Sequence, residues 1–578
     1  MQSSSASLDT IVARYAWLST FSHPPDVLPL LSTNDPPSFQ QSIRLNASVE
    51  RLNAALSGIQ SDLDILRRAV ASLEVQMSRL LSLKHECKTI LSPIRHLPTE
   101  IIIEILRCTR TMDVRCSDTR RDIHRFGFNV FVIENGPWCL GHVCSLWRYT
   151  IENLCPELWS TMTIEVPSKR GSPDQRAEKR NMVQLLERVL ERTRDHQLDF
   201  CFENRNLVGP RCSKTVAQCF SIMLAHSSRW RRAKLVITPS LLSRISLIRG
   251  KLDLIEDAYL KCSGYPSPHN IDAFAVAPNL KSLHLENMHR SAEVHFPTAN
   301  LVSFFDGRPF SGDRVTQRYL HYITSSPNLV SFSWHHHSDI PISSLPYYPL
   351  ITHPTLRELS ACSGKLLHSL ISPSLTKMAL GSGHEDLINI PVKCPPDALS
   401  ELHDLLVRSQ CSLTVLSLVD AGANEQLSAI IALCPHLRDL SIEFNGWTSD
   451  DLDTDLGISS LISRMSETHV VEGVNRHILV PDLESLAIKL FSVSSEYIFF
   501  IDRQFVKMVV SRVGSESRNP SQLKKLCMTV IGSGWDWDLN ASSLDALFAL
   551  DGNHGFNATL FLDHGDIDTV RTESGYSG

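Results

Sequence analysis

The sequence predicts a mixed α/β protein in which a long helix and a small helical segment precede a stack of helix–strand units. Two patterns predict this fold. Apolar residues recur with alternating steps of four and three from Leu45 to Leu80, as on one face of a helix. From residue 278 onward, a short motif of alternating apolar residues returns nine times, as expected of short strands with one buried face.

Length and charge exclude some classes of function. The chain has 578 residues and a net charge of -6, so nothing in its overall charge favours binding to nucleic acid or to an anionic membrane. No apolar stretch approaches the roughly 18 residues that cross a bilayer, and the N-terminus lacks a secretory leader. We therefore expect a cytoplasmic or nuclear protein, whose 15 cysteines are reduced and buried.

Composition divides the chain into five segments. Residues 1–42 are rich in Ser, Pro and Asp and are expected to be flexible. The predicted segments after it are a coiled-coil helix at 43–90, a small helical domain at 91–166, a polar linker at 167–181 and a repeat domain at 182–578, with the clearest repeats at 278–532.

The apolar stripe of the long helix has the seven-residue period of a coiled coil. We call it the seam. Its a positions are Val49, Leu56, Leu63, Val70 and Met77, and its d positions are Leu45, Leu52, Ile59, Leu66, Leu73 and Leu80. Gly58 weakens the helix, and Asp62 with Arg67 is the one clear attractive pair at the flanking e and g positions. Self-association through residues 45–80 and packing within the same chain both stay open.

The small helical domain begins with LSPIRHLPTEIIIEIL at residues 91–106. Proline suits the first turn of a helix, so we expect a helix to begin at about Pro98. Its apolar side chains at 101, 102, 105 and 106 share one broad face, and Ile103 points nearly opposite. Further on, Leu140, Val143, Cys144 and Trp147 recur at helical spacing, before a helical turn at PELW and a strand at 162–166.

These motifs resemble an F-box. The match consists of Leu97-Pro98-x-Glu100-Ile101, then Val143-Cys144-x-x-Trp147, then PELWSTMTI. In this order they are similar to the F-box-like proteins that are abundant in mushroom-forming fungi, although the segment between Ile105 and Trp138 is longer than in a compact F-box. A helical unit of this size buries little surface of its own and commonly needs a partner.

The resemblance implies a function. An F-box docks on the Skp-family adaptor of a cullin-RING ubiquitin ligase. By this resemblance, the adaptor-binding candidates are Leu97, Pro98, Glu100, Ile101, Ile105, Val143, Cys144 and Trp147. The alternative is that the isoleucines, Val143 and Trp147 belong to an internal core.

The C-terminal repeats share the pattern L-x-x-Φ-x-Φ, where Φ is apolar. The first leucine of each, which we call the anchor, is Leu280, Leu301, Leu329, Leu356, Leu375, Leu413, Leu437, Leu483 or Leu523. Six of the nine have proline two residues earlier, which ends the preceding helix, and Φ-x-Φ then predicts a strand. Such units cannot bury their apolar edge singly, so an irregular solenoid resembling leucine-rich repeats is predicted.

Outward strand positions of such repeats resemble a ligand-binding face. The strand-face candidates for binding a protein target are Ser282, His284, Glu286, Ser331, Ser333, His335, Asp439, Ser441 and Glu443. Each of them is also compatible with an ordinary solvated strand.

Searches for reactive motifs favour a binding protein over an enzyme. The aspartates at 451, 453 and 455 begin like a calcium loop but lack its glycine and final glutamate at the required places, so a helix-capping loop is expected. Cys139, His142 and Cys144 do not converge as zinc ligands, and His335–His337 suggests a surface loop. A basic cluster at 229–234 is expected to be a solvated helix end. We expect no catalytic residues, metal or cofactor.

The sequence therefore predicts a non-catalytic subunit of a Skp/cullin/F-box ubiquitin ligase that binds the adaptor and an unknown protein target. The alternative is an interaction scaffold that oligomerises through the coiled coil.

Overall fold

The structure is a computed structural model. It describes residues 8–112, 127–166, 175–204, 213–265, 268–289, 291–308, 313–334, 349–361, 363–381, 394–395, 397–471, 474–495, 497–513, 523–537, 541–550 and 555–563. The chain divides into two compact units, residues 1–101 and 102–578.

The first unit is dominated by one helix. It contains α1 (Leu8–Arg14), 3-10 turns at Ala16–Thr20 and Leu28–Leu31, and α2 (Phe39–Ile90), followed by a 3-10 turn at Pro93–His96. Ser38 and Gln41 form a reciprocal capping box that fixes the start of α2. The helix runs for 52 residues without interruption, which confirms the helical prediction for 43–90.

The N-terminal segment differs from its prediction. Residues 8–31 form three short helices where a flexible stretch was expected, and Arg14 and Tyr15 both bond Asp62 on α2. These partners are 47 or 48 residues away along the chain, so local composition does not reveal them.

The helix α3 (Thr99–Met112) begins directly after Pro98, as predicted. The helices of the second unit that follow it are α4 (Gly136–Leu140), α5 (Ser145–Asn153), α6 (Gln175–Arg192), α7 (Lys214–Ala225), α8 (Pro239–Leu242), α9 (Asp313–Ser325), α10 (Gly364–His368), α11 (Ala398–Ser409), α12 (Glu425–Ala432), α13 (Leu452–Ser466), α14 (Arg503–Val513) and α15 (Ala541–Phe548).

The strands of the second unit alternate with these helices or with loops. They are β1 (Phe128–Asn129), β2 (Thr161–Glu165), β3 (Leu198–Glu203), β4 (Trp230–Ile237), β5 (Asp257–Cys262), β6 (Ser282–Glu286), β7 (Ser303–Asp306), β8 (Ser331–Trp334), β9 (Ile351–Thr352), β10 (Glu358–Ala361), β11 (Leu370–Ile371), β12 (Lys377–Gly381), β13 (Val415–Val419), β14 (Asp439–Phe444), β15 (Thr468–Val471), β16 (Val474–His477), β17 (Ser485–Val493), β18 (Tyr497–Ile498), β19 (Lys525–Gly532), β20 (Asp536–Trp537) and β21 (Asn557–Asp563).

Fifteen strands form one parallel sheet, in the order β1-β2-β3-β4-β5-β6-β7-β8-β10-β12-β13-β14-β17-β19-β21. Each strand pairs with the strands before and after it in this series, and the six remaining strands form three separate pairs. Parallel neighbours need a crossover connection, which the intervening helices and loops provide. The protein is therefore a mixed α/β protein with a long N-terminal helix and a large parallel sheet.

The nine predicted repeats all form strands of this sheet. Every anchor leucine is at most 2% exposed, and each strand begins two residues after its anchor, from Leu280 before β6 to Leu523 before β19. Along β6, Leu283 and Leu285 are buried between half-exposed neighbours, which is the predicted alternation. The helix α12 lies between the strands that follow the anchors Leu413 and Leu437.

The sheet extends further toward the N-terminus than the repeats predicted. Both β1 and β2 lie within residues 91–166, yet β2 pairs with β3 along its whole length, from Thr161 opposite Asp199 to Glu165 opposite Glu203. Helix α6 also starts at Gln175, inside the predicted linker. The small helical domain and the repeats therefore share one sheet, and the predicted boundary at 167–181 does not separate them.

The basic cluster is a strand and not a helix end. Trp230 to Ile237 forms β4, in which Arg231 pairs with Asp199 and Arg232 lies 3.3 Å from Asp257. The described cysteines are free, as expected, but Cys87, Cys108, Cys139 and Cys144 are exposed where buried thiols were predicted.

One ion pair is fully buried at the end of β7. The side chains of Asp306 and Arg308 are both 0% exposed, and Arg308 Nε donates to Asp306 Oδ2 at 2.8 Å. The guanidinium also donates to the carbonyl oxygens of His289 (3.0 Å) and Ala292 (2.7 Å). This pair ties β7 to the loop that precedes it in the chain.

Replacing Asp306 by alanine leaves the buried guanidinium without its carboxylate, and we expect it to lower the free energy of unfolding by about 3–5 kcal/mol. The control is Lys377→Ala, which breaks a pair with Glu358 whose side chains are 55% and 42% exposed. That loss should be about 1 kcal/mol or less. Urea denaturation followed by circular dichroism measures both, and equal losses would contradict the assignment.

Candidate protein-binding surfaces

Helix α3 turns only part of its apolar face inward. Ile102 and Leu106 are 0% exposed, whereas Ile101 is 47% exposed and Ile105 is half-buried. The sequence had placed these four residues on one broad face; the structure buries the edge formed by Ile102 and Leu106. Arg107 holds this part of the helix by donating to Glu157 at 2.6 Å.

The segment at 140–147 contains a break that the sequence did not predict. Helix α4 ends at Leu140, with Gly141 as its C-terminal cap, and α5 begins only at Ser145. The prediction of one continuous helix was wrong, because Cys144 takes an extended conformation at the N-terminal cap of α5, whereas Gly141 keeps right-handed helical angles. Val143 and Cys144 therefore lie in the link between the two helices.

This break turns Val143 outward, where it is 60% exposed. Cys144 is exposed and Trp147 is half-buried. The sequence analysis missed Leu146 and Tyr149 on α5, which are 39% and 59% exposed. They lie three residues apart on α5, and this helical spacing was the signal that could have found them.

All eight adaptor-binding candidates are at least partly accessible to solvent. Pro98, Glu100, Ile101, Val143 and Cys144 are exposed, and Leu97, Ile105 and Trp147 are half-buried. The first four in sequence belong to the first unit and the other four to the second. Core positions nearby are filled by other residues, such as Ile102 and Ile151.

A cluster of aromatic rings holds α4 and α5 against α6. Trp159 is 1% exposed, and its ring contacts Trp138 edge to face at a centroid distance of 4.9 Å. The guanidinium of Arg192 on α6 lies over both rings, at 4.8 Å from Trp138 and 4.6 Å from Trp159. Arg192 also pairs with Glu152 of α5 at 2.5 Å. Helix α5, with its exposed residues, is thus packed against the helices of the large sheet.

Strand pairing brings most of the strand-face candidates into rows across the sheet. Ser282, Ser331 and Asp439 belong to one continuous row of paired residues, and His284, Ser333 and Ser441 belong to the next. Glu286 and Glu443 lie two residues further along β6 and β14. His335, with the rest of His335–His337, lies outside the described residues.

One of these candidates is covered. Glu443 is only 8% exposed, because Lys489 on the neighbouring strand β17 lies 3.3 Å from its carboxylate. The position faces the predicted side of the sheet, but its side chain is paired with Lys489. It is therefore a poor contact for a target.

His284 is the centre of an aromatic stack on this face. Its ring stacks on Tyr259 of β5 at 4.6 Å and on Phe305 of β7 at 3.9 Å. Lys234 of β4 lies over the other end of the stack, 5.1 Å from the Tyr259 ring. We call Lys234, Tyr259, His284 and Phe305 the aromatic row. The sequence analysis missed Tyr259 because β5 lacks the repeat motif, although the alternation in DAYLKC was visible.

Glu286 lies beside this row. Its carboxylate is 2.8 Å from His284 Nε2 and 3.0 Å from Lys261 Nζ. Burial alone would raise the pKa of Glu286, but the hydrogen bonds and charges of His284 and Lys261 outweigh it and lower the pKa to about 2. Burial, followed by the charge of Glu286, raises the pKa of Tyr259. At neutral pH the row therefore contains a neutral phenol, Tyr259, and lies beside an ionised carboxylate, Glu286.

Opposite charges are paired along the start of the strands. Three such pairs are Lys281 with Glu256 (3.0 Å), Lys377 with Glu358 (2.6 Å) and Lys524 with Glu484 (2.8 Å). Because these charges neutralise one another locally, the face offers hydroxyls and rings more than a net charge.

The carboxylates that resembled a calcium loop have structural roles. Asp451 accepts from the backbone N–H and the hydroxyl of Thr448, and Asp455 accepts from the N–H groups of Phe499 and Phe500. The first contact is the helix cap that the sequence predicted. Across the described residues, no three His, Cys, Asp or Glu side chains are grouped to hold a metal ion.

No described helix is both long and apolar enough to cross a membrane. No protein-family model matches the chain, and comparison with curated proteins finds no relative. The resemblance of residues 91–166 to an F-box therefore rests on the motif and on the positions of its residues.

Two adjacent residues of α3 test the division between core and surface. Ile102→Ala removes a fully buried side chain and should cost about 2–5 kcal/mol of unfolding free energy. Ile101→Ala changes an exposed side chain and should cost about 0.5 kcal/mol or less. Urea denaturation of the two variants measures the difference, and the reverse order would show that α3 is rotated from the orientation described.

Proposed function

We propose that this chain is the substrate-recognition subunit of a Skp/cullin/F-box-type ubiquitin ligase, acting in the cytoplasm or nucleus. The observation that carries the proposal is the accessibility of the motif residues. Ile101 and Val143 are apolar, are 47% and 60% exposed, and belong to the two halves of the F-box-like pattern. Exposed apolar side chains that belong to one sequence motif are suited to bind a partner.

The proposed role of the F-box-like segment is to hold the Skp-family adaptor. In the first unit, Leu97, Pro98, Glu100 and Ile101 would contact the adaptor. In the second unit, Ile105 of α3 and Val143, Cys144 and Trp147 at the start of α5 would contact it. The neighbouring Leu146 and Tyr149 extend the second contact. The buried side chains of Ile102 and Leu106 support this assignment, because they supply the core that the exposed residues do not.

We further propose that the large parallel sheet belongs to an irregular solenoid of leucine-rich-repeat type. The support is the consecutive order of its strands and the burial of an anchor leucine before each of nine strands. The unequal spacing of the repeats distinguishes it from a regular array.

The target would bind on the strand face. Ser282, Ser331, Ser333, Asp439 and Ser441 provide hydrogen-bonding groups in two rows, and the aromatic row provides flat apolar surface beside Glu286. Aromatic and arginine side chains commonly contribute most of the binding energy at protein interfaces. Because the charges are largely paired, recognition would depend on shape and hydrogen bonds more than on electrostatic attraction.

In this proposal the chain performs no covalent step. Adaptor binding would bring a ubiquitin-conjugating enzyme near the target, and the gain would come from effective concentration and orientation. The contacts of Trp138, Trp159 and Arg192, which hold α5 against α6, support such a positioning role.

The second candidate is an interaction scaffold that oligomerises through α2 without joining a ligase. The observation that favours it is the exposure of α2. This helix has no buried residue, and its a positions are 41–64% exposed. Such a stripe is suited to a second helix.

Co-purification with a Skp-family adaptor tests the first proposal against the second. We expect the full chain to bind the adaptor, and Leu97→Ala/Pro98→Ala or Val143→Asp to weaken binding at least tenfold without a change in circular dichroism. The matched control is Leu247→Asp, which places the same charge on another exposed apolar residue (67%) of the second unit.

A wild-type chain that ignores the adaptor while forming stable oligomers would overturn the ligase proposal and favour the scaffold. Equal loss in Leu247→Asp and Val143→Asp would show that the loss is not specific to the F-box-like segment.

A further inference from the structure

The seam of α2 is covered on one side and along only part of its length. The a positions Val49, Leu56 and Val70 are 52%, 64% and 54% exposed. The d positions Leu45, Leu52, Ile59 and Leu66 are half-buried, whereas every residue from Arg67 to Ile90 is exposed. A covering element therefore lies against the d side and ends near Leu66.

That element is the N-terminal segment of the same chain. Tyr15 Oη donates to Asp62 Oδ2 at 2.7 Å, and Arg14 Nη1 donates to the same oxygen at 2.9 Å. The guanidinium of Arg51 lies 4.3 Å from the centre of the Trp17 ring. These three contacts place residues 14–17 along about three turns of α2, from Arg51 to Asp62.

A second set of contacts lies nearer the start of α2. Gln41 Nε2 donates to the carbonyl oxygen of Asp26 at 2.8 Å, and Arg44 pairs with the Asp26 carboxylate at 3.2 Å. Val27, next to Asp26 in the sequence, is only 2% exposed. We call residues 8–31 the N-terminal cap, because they contact α2 at two places and cover part of its seam.

Gly58 is explained by this contact. A Cβ atom at position 58 would lie 2.8 Å from Tyr15 Oη, which is closer than such atoms approach. Glycine in a helix interior costs about 1 kcal/mol relative to alanine. Glycine thus leaves room for the Tyr15 hydroxyl where it lies, and a larger residue would require the end of the Tyr15 side chain to shift.

The cap also bonds the Asp62 carboxylate, which a coiled-coil partner would use. In a parallel two-stranded coil, a g residue pairs with the e residue five positions later in the other chain, which here joins Asp62 to Arg67. In the structure Asp62 bonds Arg14 and Tyr15, and Arg67 lies 3.4 Å from Asp64. Docking of the cap and pairing with a second chain therefore compete for the same carboxylate and the same side of the seam.

We propose that the N-terminal cap is an autoinhibitory element, whose release lets the α2 helix of a second copy of this chain bind along residues 45–80. A second copy fits this surface because α2 itself supplies the complementary Arg67 and a matching seven-residue period. Valine at some a positions with mostly leucine at d favours two strands. The seam from Leu45 to Leu80 would give a contact about 50 Å long. Pairing would bring two strand faces together, so that a target with two sites binds more tightly.

The test is the oligomeric state of the full chain in sedimentation velocity over a range of concentrations. Arg14→Ala/Tyr15→Ala removes both donors to Asp62 without altering α2. We expect it to lower the dissociation constant of the dimer at least tenfold relative to wild type. Adding Leu73→Asp/Met77→Asp, two exposed seam residues beyond the cap, should return this variant to the monomer.

Gly58→Ala tests the same competition from the side of α2, because its methyl group requires the Tyr15 hydroxyl to shift from its place beside Asp62. It also improves helix propensity, so its matched control is the same substitution in the Arg14→Ala/Tyr15→Ala background, where the methyl group meets no hydroxyl. Gly58→Ala should strengthen association more in the wild-type chain than in that background.

The proposal would be overturned if neither Arg14→Ala/Tyr15→Ala nor Gly58→Ala changed the dissociation constant of the dimer. So would association that survives Leu73→Asp/Met77→Asp, because it would not use the seam. None of these outcomes depends on adaptor binding, so the ligase proposal can fail independently.

Discussion

The large sheet depends on one repeated packing event, the burial of an anchor leucine two residues before a strand. A single short strand with one apolar face cannot stay folded in water, since its backbone groups and its leucines both need neighbours. Each strand here obtains them from the strand before and the strand after. Burial of a leucine side chain is worth about 1.5–3 kcal/mol, so nine anchors outweigh the poor local stability of four- to nine-residue strands.

The same dependence explains why the F-box-like segment is not separate from the repeats. β2 has buried residues on both sides and needs β3 as a neighbour. Trp159, Trp138 and Arg192 then join α4 and α5 to α6. The residues of α5 that would bind an adaptor are in this way joined to the large sheet that would bind a target. A subunit that positions one protein near another needs such a connection.

The sequence predicted those parts of the structure whose signal is local. The nine strands, the start of α3 and most of α2, from residue 43 to residue 90, followed from periodicity and proline placement. Strands β4 and β5 were missed because they lack the leucine motif and proline, although their neighbours in the sheet make them equivalent. The contact of Tyr15 with Asp62, the break at Cys144 and the covering of Glu443 by Lys489 depend on tertiary partners or on one backbone angle, which periodicity does not report. Of the four residues of the aromatic row, the sequence predicted His284 alone.

The central claim is that the exposed apolar residues of α3 and α5 bind a Skp-family adaptor. Hydrogen–deuterium exchange of the full chain with and without purified adaptor tests it most directly, because amide protection reports where binding occurs. The account predicts slower exchange in Thr99–Met112 and Ser145–Asn153, with no change in the strands β12 to β14. Protection confined to α2 or to the sheet, or no protection at an adaptor concentration that saturates known F-box proteins, would contradict it.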